Sequence, residues 1–181
     1  MMTLQGWVGL LALLAGISGL AAIAAPAACA RALRALPRNR WAGYLLSTAA
    51  LAWSGWLLYT MPLEFLMPYR RFIPWVMLAA IPFSWFAMPD LLAARALGGL
   101  FALIPAPVLQ LVRVHPSPWR LVVVTLLYLM AIAGMTLIMA PYLMRDGIAW
   151  MTRSGRRLRM CGAVRLLVGL LLGWLALAVF N

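Results

Sequence analysis

The chain has 181 residues, 66% of them hydrophobic, with a mean hydropathy of +0.98 and a net charge of +12. A soluble domain of this length is about half apolar; the surplus exceeds what one core would absorb, and it falls in runs of about twenty residues, each long enough to cross ~30 Å of hydrocarbon as a helix. Every basic residue apart from His115 is arginine; GC-rich codon usage is the plain explanation, and the functional one is that guanidinium forks hold phosphate headgroups. The arginines hug the ends of the apolar runs without interleaved exposed aromatics, which argues against nucleic acid as a partner.

In chain order, the first predicted span covers residues 4–25. It is read as a helix and not a removed leader, because no Lys or Arg precedes it and the apolar run exceeds the roughly 7 to 15 residues of a signal core. Cys29 does not read as a lipid-attachment site, since Pro26 stands where an aliphatic residue is expected. A basic connection follows, with Arg31, Arg34, Arg38 and Arg40 between and beyond the breakers Pro26 and Pro37. Span two is expected at 41–59, and a short proline-broken stretch with Glu64, Arg70 and Arg71 separates it from span three at 72–88. Pro74 and Pro82 are expected to kink span three. Pro89-Asp90 reads as a turn with Asp90 as an N-cap, and span four follows at 91–111. Arg113, His115 and Arg120 mark the next connection, and span five is expected at 121–140. The stretch 141–162, PYLMRDGIAWMTRSGRRLRMCG, has a helical middle that suits a helix lying in the headgroup layer. Span six is expected at 161–180. The predicted fold class is therefore all-α: a polytopic membrane helix bundle of six transmembrane helices in one membrane domain.

Charge gives an orientation. The odd-numbered connections hold Arg31, Arg34, Arg38, Arg40, Arg95, Arg145, Arg153, Arg156, Arg157 and Arg159, whereas the even-numbered ones hold Arg70, Arg71, Arg113 and Arg120. The positive-inside bias places the odd connections in the cytoplasm and both termini outside it. Most tryptophans fall near span ends, as an interfacial belt requires.

Pro26, Pro82 and Pro141 recur at intervals of 56 and 59 residues. Each is followed by Arg-x-x-Gly: Arg40 with Gly43, Arg95 with Gly98, Arg159 with Gly162. This spacing reads as three repeated helical hairpins, at 4–60, 65–112 and 119–181; the competing reading is chance meeting of Arg and Gly in a chain rich in both. In the repeat reading, proline stops a helix at the interface, arginine anchors the next helix to phosphate, and glycine lets backbones approach. Arg40, Arg95, Arg156, Arg157 and Arg159 are the candidate headgroup anchors. Gly16, Gly19, Gly43, Gly98, Gly162, Gly169 and Gly173 are the candidate helix-packing positions. Residues 121–181, with Pro141 ending one helix and Arg159-x-x-Gly162 opening the next, resemble a family of short two-helix bacterial inner-membrane proteins of unknown function. That resemblance implies a bacterial inner-membrane location and no activity.

No catalytic set emerges. Gly16-Ile17-Ser18-Gly19 has the form of an intramembrane serine protease motif, but the chemistry needs a histidine on another span, and the sole histidine, His115, lies in a connection. Asp146-Gly147 matches only a fragment of a lipid-headgroup transferase motif, whose chemistry needs several aspartates around divalent metal; a solvated turn is the simpler reading of Arg145-Asp146. Cys29 and Cys161 have no neighbours at metal-ligand spacing. Glu64, Asp90 and Asp146 fall at span ends, away from the mid-membrane position that marks an ion path. The expectation is a non-enzymatic membrane subunit or scaffold, without cofactor or metal, that packs against larger membrane proteins or itself and against anionic lipid headgroups. The alternative is a small-molecule or lipid transporter with a site among spans three and four and Arg95.

Overall fold

The computed structural model describes residues 3–60, 64–87 and 92–180, and among them it contains helices and no strand. The α-helices are α1 (Leu4–Ala24), α2 (Pro26–Ala35), α3 (Arg40–Thr60), α4 (Ile73–Ala87), α5 (Leu92–Leu103), α6 (Pro105–Arg113), α7 (Arg120–Met139), α8 (Tyr142–Thr152) and α9 (Gly155–Ala178). Two 3₁₀ segments, Leu36–Arg38 and Glu64–Phe72, lie between them.

Prolines set two of the breaks. Proline disfavours the helical region for the residue before it, and Ala25 leaves the helix at φ −130°, ψ 63° ahead of Pro26. Ala140 does the same at φ −131°, ψ 71° ahead of Pro141. A short helix then follows in both places, α2 and α8. The second proline of the expected repeat behaves differently: Pro82 lies inside α4, which continues to Ala87. Pro74 is only the second residue of α4, where its missing N–H costs nothing. Pro105 likewise opens α6, and Ile104 N–H still donates to Leu100 O at 2.9 Å, so α5 and α6 run on as one rod.

Four helical rods are long and apolar enough to cross a membrane: Leu4–Ala24, Leu92–Arg113, Arg120–Met139 and Gly155–Ala178. Their outward faces carry exposed large apolar side chains, among them Leu14, Ile17, Leu129, Ile132, Leu167 and Leu170. Apolar surface that continuous is unusual on a water-solvated monomer and fits the hydrocarbon of a bilayer.

Close approaches fix the helix directions. A Cβ added at Gly19 would sit 2.7 Å from Gly162 O, and one at Gly169 would sit 2.7 Å from Gly16 N, so α1 and α9 are antiparallel along their length. A Cβ added at Gly98 would sit 2.8 Å from Gly134 O, and Val108, Val112, Val123 and Leu127 share one core, so the α5–α6 rod runs antiparallel to α7. Gly43 meets Leu92 and Ala93, and Gly99 meets Ala50, so α3 and α5 are parallel. Gly55 faces Met77, and Trp85 Nε1 donates to Ser47 Oγ at 3.1 Å, so α4 is antiparallel to α3. Successive rods α1, α3, α4, α5–α6, α7 and α9 thus alternate in direction. The end where α1 starts is called the terminal end below; the opposite end carries α2 and α8.

The main buried core lies towards the terminal end. Val8, Val108, Val112, Leu127, Leu172 and Leu175 pack there from α1, α6, α7 and α9. The expected hairpins are not the extensively paired backbones: α1 lies mainly on α9, α5 on α7 and α3 on α5. Asp90, expected as an N-cap, lies outside the described residues, as does the turn at Pro89.

Candidate anion-binding face

The first connection is more ordered than its Ala- and Arg-rich text suggested. Pro26 presets the opening dihedral of α2, and ten residues later the chain tightens into the Leu36–Arg38 turn. Asn39 then caps α3, its Oδ1 accepting from Ala42 N–H at 3.3 Å. Arg40 follows as the first residue of α3 and is exposed. In the fifth connection, its counterpart, α8 ends at Thr152, and only two residues, Arg153 and Ser154, separate it from α9. A single helix through the middle of 141–162 was expected here. Instead the chain breaks at Ser154, in extended conformation at φ −143°, ψ 136°, and α9 starts at Gly155, six residues before the expected 161. Arg156, Arg157 and Arg159 therefore belong to the opening turns of α9 and not to α8. Asp146 sits within helical α8, not in a turn, and is exposed beside Arg145.

α2 and α8 lie against each other, and one side chain joins them. Arg34 donates from Nε to Thr152 Oγ1 at 2.9 Å and from Nη2 to Thr152 O at 2.7 Å. Thr152 Oγ1 in turn donates to Ile148 O at 2.7 Å, and the residue is 7% exposed. The guanidinium thus supplies a donor to a carbonyl at the C-terminus of α8, where the helix leaves acceptors unpaired and carries partial negative charge. Sequence reasoning assigned Arg34 only to a basic loop. The available signal was the pairing of Pro26 with Pro141, which predicts that the segments after them occupy equivalent places.

Between these helices lies a groove of about 610 Å³, lined by Arg34, Pro37, Arg145, Ile148, Ala149, Thr152 and Arg153. The single ion pair among the described residues is Arg145 Nε with Asp146 Oδ1 at 3.2 Å, both well exposed. Around the groove, Arg31, Arg40, Arg156, Arg157 and Arg159 are exposed, and Arg157 lies 5.4 Å from the centre of the Trp150 ring. Helices α3, α8 and α9 have no acidic residue in their first turns. Arginine at a helix N-terminus adds to the positive end of the macrodipole, so this surface as a whole favours anions.

The remaining expected positions divide. Arg95 is partly buried in the first turns of α5. Gly19, Gly98, Gly162 and Gly169 lie where an added Cβ would strike a neighbouring backbone or side chain within 3 Å. Gly43 is in ordinary contact with Leu92, and Gly173 only touches Ala12 at 3.9 Å. Gly16 would meet nothing within 4 Å on its own Cβ side, although its backbone receives Gly169. Sequence reasoning did not select Gly134, whose added Cβ would lie 2.5 Å from Ala102 N, or Gly55, which faces Met77.

Ser18 and His115 are not brought together. Ser18 Oγ donates to Ala15 O at 3.1 Å within α1, beside the Gly19–Gly162 crossing. His115 lies at the terminal end, edge-on to Phe180 with ring centres 4.8 Å apart, and its Nδ1 accepts from Ser117 N–H at 3.2 Å. Among the described residues no group of three or more His, Cys, Asp and Glu could hold a metal ion, and both cysteines are free. The fold and the face together define an all-helical chain with four helices able to cross a membrane and an arginine-rich surface at one end. No known protein family, curated protein or solved structure matches it.

Proposed function

We propose that this chain is a non-enzymatic, multi-pass subunit or scaffold of a bacterial inner membrane, which packs against larger membrane partners and holds anionic lipid at its arginine-rich face. The observation that carries the reading is the segregation of Arg31, Arg34, Arg40, Arg145, Arg153, Arg156, Arg157 and Arg159 to one end of alternating helices, with Asp146 the only acid beside them among the described residues. In this reading α3 and α4 join the four long apolar rods to give six crossings. The arginine-rich end faces the cytoplasm and both termini face outward. Exposed arginine near an anionic leaflet contributes about 1 kcal/mol each to surface binding.

A groove of about 660 Å³ between α1 and α9, lined by Gly9, Leu13, Gly16, Leu170, Gly173 and Trp174, supports the partner half of the reading. Added Cβ atoms at Gly9 and Gly16 would meet nothing within 4 Å, so another helix has room to approach closely. The transporter reading gains no comparable support. The cavity beside Pro74, about 280 Å³ and lined by Ala52, Gly55, Trp56, Tyr59, Ile73 and Met77, is almost wholly apolar.

Purification from native membranes in mild detergent, followed by native mass spectrometry, tests the proposal. The expected result is a larger membrane protein in stoichiometric amount together with retained anionic phospholipid. A lone chain carrying only zwitterionic lipid would contradict it.

A further inference from the structure

We propose that the groove between α2 and α8 is a discrete phosphate-binding site that takes a headgroup carrying about two negative charges. The proposal deepens the reading of this end as a lipid-facing surface and rests on it for the source of the ligand. Three guanidinium groups line the groove, Arg34, Arg145 and Arg153, and they come from both helices and the turn after α8. The nearby Asp146 offsets one of these charges through Arg145. The groove's ~610 Å³ falls within the range of about 300–1,000 Å³ usual for small-ligand sites.

The pre-setting of Arg34 separates this groove from the rest of the basic surface. Its Nε and Nη2 are fixed on Thr152, which is itself fixed on Ile148. Arg34 Nη1 makes no hydrogen bond to the described residues, and the planar fork cannot rotate without breaking both bonds. Ordering of this side chain is therefore completed before a ligand arrives, which lowers the cost of binding. Arg145 uses Nε on Asp146 and leaves its terminal nitrogens for oxygen acceptors. Guanidinium geometry matches phosphate oxygens in pairs. Pro37, Ile148 and Ala149 supply the apolar part of the lining, against which the glycerol portion of a headgroup can rest. A phosphate ester of a membrane lipid and a soluble phosphate share this chemistry.

The test uses the full chain in nanodiscs. One arm compares zwitterionic discs with discs containing an anionic phospholipid bearing two phosphates. The other adds inorganic phosphate to zwitterionic discs, against chloride at equal ionic strength. Thermal unfolding and retained lipid are measured for the wild type, for the double variant Arg145→Gln/Arg153→Gln, and for Arg156→Gln/Arg157→Gln on α9. The groove variant replaces exposed side chains, and its melting temperature in zwitterionic discs without phosphate serves as the folding control. The expected result is stabilisation in one arm that weakens at least about tenfold in apparent affinity in the groove variant, at roughly fivefold for each guanidinium lost. The α9 variant should change that affinity far less. Stabilisation in the first arm identifies a lipid, and in the second a soluble phosphate. Equal losses in both variants, or none in the groove variant, would overturn the site while leaving the broader lipid-facing reading standing. Anionic lipid retained by no form of the protein would instead strike at that broader reading.

Discussion

At the scale of the residue, the arginines do different work according to what holds them. Arg34 is tied to Thr152 by two hydrogen bonds, whereas Arg156 and Arg159 project from α9 with no bond to another described side chain. Thr152→Val keeps the volume and removes the acceptor for Arg34 Nε and the donor to Ile148 O. A loss of about 1–2 kcal/mol in detergent unfolding is expected, since bonds to charged groups contribute about 1.5–3 kcal/mol when sheltered and Arg34 is exposed. Amide exchange should accelerate in α8 before it does in α7, and uniform protection of both helices in the variant would refute the tie. Glycines divide in the same way. Gly169→Ala pushes a methyl into Gly16 N at 2.7 Å and must separate α1 from α9, costing about 1–3 kcal/mol. Gly16→Ala meets nothing within 4 Å and should fall within about 0.5 kcal/mol of wild type when no partner is bound. Similar melting temperatures for the two variants would show that this crossing does not depend on the missing Cβ.

At the scale of the element, the sequence located helices well because the bilayer-length apolar runs are bounded by proline and arginine. Residues 4–25, expected as a span, correspond to α1 at Leu4–Ala24, and 121–140 to α7 at Arg120–Met139. The ends of short helices were less legible. α2 is polar enough to pass for a loop, and its existence rests on the Pro26 break and on contact with α8, which lies over a hundred residues away. The start of α9 was placed late because Arg156, Arg157 and Arg159 lower its hydropathy, yet arginine is a good helix former. Nor could spacing alone show that Pro82 would be accommodated inside α4 while Pro26 and Pro141 each end a helix.

At the scale of the whole molecule, the pairing of helices could not be read from neighbours in sequence. The intervals of 56 and 59 residues between Pro26, Pro82 and Pro141 suggested repeated hairpins. Instead the first and last helices make the most intimate contact, through Gly19, Gly162 and Gly169, whose small size leaves backbones within reach of each other. Gly16, Gly19, Gly162 and Gly169 were all legible as small packing positions on apolar helices, but that the first two meet the last two was not. Aromatic pairs mark the two ends: Trp7 with Trp53 at 5.8 Å and Trp119 with Trp174 at 5.4 Å at the terminal end, Tyr44 with Trp85 at 5.0 Å at the other. That arrangement is the one an interfacial belt would take.

The alternating directions make the sidedness of the chain directly measurable. In a Cys29→Ala/Cys161→Ala background expressed in a bacterial inner membrane, single cysteines at Ser117 and Ser154 report the terminal and arginine-rich ends, respectively. A membrane-impermeant maleimide applied from the periplasmic side should label Ser117→Cys in intact spheroplasts, and should label Ser154→Cys only after permeabilisation. Labelling of both positions from the same side, or of Ser154→Cys alone, would contradict the account.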